Sequence, residues 1–280
     1  SGSSLQQGRQ AGMRAAVRLL PKGCTAPQGR CAWQSWRGLV TAESKKPIKR
    51  FYETASVHQV GDVKWAVAID DKPVKTPRGV PLELPTTALA EALAAEWRAQ
   101  GEHIRPRDMP LNTLGCTAVD LIRPRMEACV ERVLPYLATD TLCFEETEGM
   151  LAERQVDEWS PAREWFEAHF GVSLGVARGR DLVVPEHAAD TLPTVEQDLL
   201  ARDEWELSAL EVATETAKSF IVAAALLERP DFTAEDALRW ALLEEHFQIE
   251  KWGLVEGEHD VAHSEILRWF EAAQEFVRLR

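Results

Sequence analysis

No stretch of this chain approaches the roughly 18–20 apolar residues that cross a bilayer as a helix. Its most apolar run, Phe220–Leu227, is eight residues long and follows Lys218, so no stable membrane insertion is expected. Loops that cradle phosphates are missing too. Neither G-x-x-x-x-G-K-[ST] nor G-x-G-x-x-G occurs, and Gly171, Gly175 and Gly179 are wrongly spaced for either. No G-x-S-x-G elbow marks a hydrolase serine. Cysteine is scarce: Cys24 and Cys31 lie near the start, Cys116, Cys129 and Cys143 further on, and no two form a C-x-x-C pair. That excludes a disulfide framework, fits a reduced compartment, and makes the last three small buried apolar groups.

Basic charge is also short over most of the chain. Ten of the 32 Lys and Arg but only one of the 45 Asp and Glu lie in residues 1–50, leaving 22 basic against 44 acidic groups in residues 51–280. A body near −22 repels nucleic acid, and an anionic membrane surface is an equally poor partner. The first residues are the opposite. From Met13 to Val40 there are Arg14, Arg18, Lys22, Arg30 and Arg37 and no acid, the composition of an organelle transit peptide. Residues 1–46 are therefore expected to be a transit peptide or disordered leader, for a mitochondrial matrix protein.

The remaining 45%-hydrophobic chain divides by texture. From Lys49 to Pro85 it reads as short antiparallel strands. Gly61-Asp62 makes a hairpin, Val63, Trp65, Val67 and Ile69 alternate with Lys64, Ala66 and Ala68, and Asp70-Asp71-Lys72-Pro73 turns the chain again. Thr86 or Thr87 opens a helix that closes at Gly101, with Trp97 read as a core residue joining sheet to helix and Glu96 on the rim. Beyond Met109 helical spacing dominates: 110–122, Pro124 to about Tyr136, 150–170 with a bend or restart at Pro161 and a stop at Gly171, then 188–202, 206–228, 233–252 and 258–279. The class is α+β: a small, mainly antiparallel β-rich N-terminal part with a covering helix (47–115), packed with a larger multihelical C-terminal part (116–280).

Residues 233–260 are the stretch most clearly built for a purpose. Thr233 with Asp236 forms a reciprocal capping box, an apolar stripe through Trp252 predicts one mostly buried helix, and Gly253 is a left-handed stop. Glu244, Glu245, Glu250, Glu256, Glu258 and Asp260 crowd this region. Such a cluster either meets a cationic partner or is merely solvated. HDVAH at 259–263 allows another chemistry. His259 and His263 are four apart, as in the H-E-x-x-H zinc arrangement, with Asp260 in the place of its Glu and a third ligand due from His246, Glu250 or Glu256. The plainer reading is two surface histidines at the start of the last helix.

Seven blocks in order carry a resemblance: KRFY (49–52), VAIDDKPVKTPRG (67–79), LPTTALAEALAAEW with Gln100, MPLNTL and TAVD within 109–120, YLATDTLCF (136–144), LAERQVDEWSPAREW (151–165) and LEEHFQIEKWGLVEGEHD (243–260). Together they resemble the ATP synthase assembly chaperone family that binds the alpha subunit of the catalytic head. The resemblance implies a non-enzymatic protein with no catalytic residue, cofactor or metal. It also implies that the chain holds the free alpha subunit, masks its beta-contacting surface and releases it to the beta subunit, and that it is a monomer before client binding. Its partner-binding residues would be Glu256 first and Asp260 second, as anionic partners for basic groups, with Glu250, Trp252 and His259 beside them. Trp97, Glu96 and Gly253 would be structural. Gly257-Glu258 stands where an aromatic often follows the glutamate in the family. The alternative from another class is a metal-dependent hydrolase using His259 and His263.

Overall fold

A computed structural model of the chain describes residues 48–179, 183–253 and 259–280. The expected leader lies outside them. Strand β1 (Ile48–Lys49) leads into β2 (Ala55–Val60) and β3 (Lys64–Ile69), paired antiparallel from Ala55↔Ile69 to Val60↔Lys64 around a glycine turn in which Gly61 has φ +65°. Asp70 and Asp71, with φ of +45° and +65°, turn the chain into β4 (Lys72–Pro73), and β5 (Glu83–Leu84) also pairs with β3. The expected alternation is only partly kept on β3. Trp65, Val67 and Ile69 pack on the core, but Val63 sits in the turn, 75% exposed, and Ala66 and Ala68 are buried as well.

Helix α1 (Thr87–Arg98) follows, its first turn capped by the Thr86 hydroxyl, which accepts from the Leu89 amide. It lies on β2 and β3. After β6 (His103–Ile104), antiparallel to β1, helix α2 (Pro110–Thr117) crosses residue 115 and widens into a π-type turn over Ala118–Ile122. Asp120 on that turn is buried. It accepts from the Thr76 hydroxyl (2.6 Å) and the Arg78 amide (3.1 Å), fastening the β4–β5 loop to the helical body. Helix α3 (Met126–Ala138) starts two residues later than Pro124. Strand β7 (Phe144–Glu145) pairs in parallel with β8 (Ala177–Arg178) around helix α4 (Met150–Phe170). Helix α4 runs through Pro161 without restarting and ends at Gly171, φ +67°.

The last helices are α5 (Thr191–Leu200), α6 (Glu204–Ala217), α7 (Phe220–Glu228), α8 (Ala234–Ala241), α9 (Leu243–Trp252) and α10 (His259–Leu279). Two expected helices are each broken in two. The expected 206–228 helix is interrupted at Lys218, which adopts the left-handed conformation (φ +57°), and α7 restarts with Ser219 as its cap. The expected 233–252 helix breaks at Leu242 (φ −111°). Its Thr233–Asp236 box forms as read. The Trp159 indole donates to the Trp240 carbonyl (3.1 Å), the acceptor that a continuous helix would offer to the Glu244 amide.

One hydrophobic cluster runs from Val67 and Leu84 through Leu114, Val133, Trp159 and Phe220 to Phe276, and Cys116, Cys129 and Cys143 belong to it. Helix α7 is its centre, with Phe220–Leu226 buried on every side. A buried N-terminus leaves its first amides out of reach of water. Asp140, wholly buried, supplies the acceptors. Its carboxylate takes the Phe220 amide (2.7 Å), the Ile221 amide (3.0 Å), the Ser219 hydroxyl (2.8 Å) and the Leu142 amide (3.0 Å). Ser219 Oγ in turn accepts from the Val222 amide. Asp140→Ala is expected to lower stability by at least about 3 kcal/mol, since several buried donors lose their partner together. Urea unfolding followed by helical circular dichroism measures it; a loss below about 1 kcal/mol would mean that the caps are replaceable.

Candidate functional site

Helix α9 carries acids in its first turn, where the helix dipole favours them. Its far end is exposed. Apart from Leu243 no residue of α9 is buried, which corrects the expectation of a mostly buried helix through Trp252. The amphipathic α8 is anchored by Ala234, Ala237 and Trp240, and the break at Leu242 leaves α9 resting on α4 through few groups. Gly253 ends α9. Its φ of +88° with ψ of 156° is a region open to glycine alone, not the left-handed cap expected, and its amide still donates to the Ile249 carbonyl (2.8 Å).

Glu244, Glu245 and Glu250 are committed within the chain. Glu244 Oε1 accepts from Gln155 Nε2 (2.8 Å), and the buried Gln155 accepts the Glu146 amide through its own oxygen. Glu244 is exposed as a residue, but desolvation of its carboxyl where it meets Gln155 pushes that group up from the usual carboxylate range. Glu245 meets His263 Nε2 at 3.0 Å, and His263 lies edge to face with His246, ring centroids 5.1 Å apart. Burial, then the neighbouring His263, hold the His246 imidazole below its ordinary pKa. Glu250 pairs with Arg154 Nη1 at 2.7 Å on the surface. Trp252 is 71% exposed, with Lys251 Nζ 5.4 Å from its ring centroid and 5.8 Å from that of Phe247. His259 and Asp260 stand at the start of α10, and Glu256 falls outside the described residues. Arg154, Gln155 and His246 were not among the residues singled out as partner-binding. They lie up to 96 positions from their partners, and no local pattern pairs them.

The Glu96–Trp97 pair is arranged differently from its expected form. Rather than ending on a rim, the Glu96 carboxylate turns to the N-terminus of α2, accepting the Leu111 amide (2.7 Å) and the Asn112 amide (2.8 Å). Trp97, half-buried, donates its indole N–H to Asn112 Oδ1 (3.2 Å) and packs edge-on to Tyr52, whose hydroxyl donates to the Trp97 carbonyl (2.7 Å). One dipeptide thus joins α1, the first strands and α2. Burial raises the Glu96 carboxyl to about 8, against the opposing pull of the two amide donors. Among the described residues no group of three or more His, Cys, Asp or Glu could hold a metal ion, and no helix is long and apolar enough to cross a membrane.

Residues 49–167 match the family model described as ATP12 chaperone protein. The chain is 28% identical over 231 residues to "Protein atp12, mitochondrial" of Schizosaccharomyces pombe, covering 78% of each. It is 28% identical over 276 residues to "Protein ATP12, mitochondrial" of Saccharomyces cerevisiae, covering 83% of this chain and 85% of that one. Its fold superposes on the crystal structure of Atp12 from Paracoccus denitrificans with a TM-score of 0.76, at 28% identity over 83% of this chain and 98% of the other. A putative chaperone from Agrobacterium tumefaciens gives 0.76, at 28% identity over 87% and 97%. The fold is α+β, and the proteins it resembles are chaperones rather than enzymes; none of them lends support to the hydrolase reading of His259 and His263. The chain is similar to the ATP12 chaperones over residues 49–167, and both of the curated relatives named above are described as mitochondrial.

The raised Glu96 pKa fixes a sign. A carboxyl held above its ordinary value near 4.5 contributes stability that is complete below that value and is lost as pH rises toward about 8. The urea midpoint is therefore expected to fall between pH 5 and 8, and Glu96→Gln to flatten that fall; parallel pH profiles for the two proteins would contradict the assignment. Trp97→Ala is expected to lower unfolding stability by about 3 kcal/mol through lost packing and an orphaned Asn112, measured in the same titration.

Proposed function

We propose that this chain is a chaperone of ATP synthase assembly that binds the free alpha subunit of the catalytic head in the mitochondrial matrix. It covers the beta-contacting surface of that subunit and yields it to the beta subunit. The physical need is plain: an obligate interface without its partner is a large apolar surface open to self-association. The observation that carries the reading is Trp252, a large aromatic side chain left 71% exposed at the end of a helix, where burial against a partner would be worth most. To it we add Glu250, Glu256, His259 and Asp260, anionic or polar groups suited to basic residues on the client. Glu250 already holds Arg154 at 2.7 Å, so its contact with the client is an exchange of one guanidinium for another cation. The chain acts as a monomer before it takes one client, with residues 47–115 and 116–280 as its two parts.

Sizing chromatography of the chain mixed with refolding alpha subunit, without beta subunit, tests this. The wild-type pair is expected to co-elute, while Trp252→Ala and Glu256→Lys, both folded, leave the alpha subunit to aggregate. Capture by both variants would move the site elsewhere, and no capture by the wild type would refute the client.

A further inference from the structure

On the side of α10 away from α9 lies a cavity of about 500 Å³ lined by Arg105, Arg107, Asp108, Ser264, Glu265 and Arg268. Three guanidinium groups face two carboxylates, in a protein whose residues 51–280 carry twice as many acids as bases. Local structure sets the cluster up. The Arg105 amide is fixed by Gln100 Oε1 (2.7 Å), and Pro106–Asp108 forms a tight single turn that brings Arg107 to α10. Glu265 is shared: Arg107 Nη2 donates to it at 2.7 Å, Arg268 Nη2 at 2.6 Å and the Trp269 indole at 3.2 Å. Arg268 also donates to the Arg107 carbonyl. One carboxylate thus orients two guanidinium groups and neutralises only one of them. Asp108 stays 3.9 Å from Arg268. The Arg268 Nε–H, shielded from solvent, has no acceptor among the described residues, and Arg105 is exposed, its guanidinium in no hydrogen bond or ion pair among them.

We propose that this cavity receives a carboxylate of the client, an acidic side chain of the alpha subunit, a reading that rests on the proposed function. A guanidinium fork matches the two oxygens of a carboxylate. A phosphate would fit the same donors, but Asp108 and Glu265 repel a dianion more strongly than a single negative charge. The volume is at the small end for ligand cavities and takes side chains, not a folded element. Its place matters too: His263 meets Glu245 of α9 and Glu265 meets Arg107, so α10 has an acid of α9 on one side and this basic cavity on the other. A client surface carrying both signs of charge would be held in one orientation.

The whole chain, as wild type and Arg105→Glu, is titrated with a tetraglutamate peptide and separately with inorganic phosphate while the arginine Nε–H resonances are followed. Both forms, with Arg105→Lys, are also assayed for affinity to the alpha subunit. The peptide is expected to shift the guanidinium signals of the wild type and not those of Arg105→Glu, and phosphate to shift them less. Arg105→Glu is expected to weaken client binding about tenfold, Arg105→Lys less. Signals that respond more to phosphate, or to neither probe, overturn the carboxylate assignment; unchanged affinity of Arg105→Glu overturns the role in client binding. If the wild type binds no alpha subunit at all, the proposed function fails, and the peptide titration alone decides the cavity.

Discussion

A helix buried along seven consecutive residues, Phe220–Leu226, can stand at the centre of a protein only if its first amides find acceptors away from water. Asp140 meets that constraint from 80 residues away in sequence, and the rest of the structure is arranged around its doing so. The three-residue turn Thr141–Cys143 carries its backbone past α7, the Thr141 hydroxyl donates to the Lys218 carbonyl (3.1 Å), and Lys218 takes a left-handed conformation so that Ser219 can begin the helix. Burial raises the Asp140 carboxyl to about 6, a measure of how far the site is removed from solvent. Helices α3, α4, α6, α8 and α10 all lie against α7. A shift at Asp140 would reach each of them.

The N-terminal part is tied to this body by side chains rather than by strand pairing. Asp120 holds the Thr76–Arg78 loop, and Glu96 holds the start of α2. Both are carboxyl groups accepting from donors of another element, and such hydrogen bonds strengthen where water is excluded. Such joints keep the scaffold rigid beneath a face that is open. The contrast with α9 is direct: α7 is buried throughout, α9 almost nowhere.

Local rules were readable in the sequence where one residue decides the outcome. The Thr233–Asp236 box, the Thr86 cap, the stop at Gly171 and the turns at Gly61 and Asp70-Asp71 each follow from a conformation or a donor that few residues supply. The class, a small antiparallel sheet followed by helices, was legible for the same reason. What was not legible depended on distant partners. The break at Leu242 needs Trp159, the break at Lys218 needs Asp140, and the inward turn of Glu96 needs the free amides of α2. Periodicity through Trp252 predicted burial, yet Trp252 is 71% exposed at the end of α9. In the candidate site, the crowd of acids was visible as composition, while its internal pairing to Arg154, Gln155 and His263 was not. Three arginines spread over residues 105–268 gave no local sign of a shared cavity.

A scaffold fixed by buried carboxyl caps thus carries, on α9 and α10, the mixed-charge face proposed to meet a protein client. Hydrogen–deuterium exchange of the chain alone and in the presence of alpha subunit tests this most directly. Amides of 247–253 and 259–268 are predicted to slow on binding, with those of α7 slow in both states and unchanged. Protection confined to the β2–β3 hairpin or the α5 surface, with the α9–α10 junction exchanging as freely as before, would contradict it.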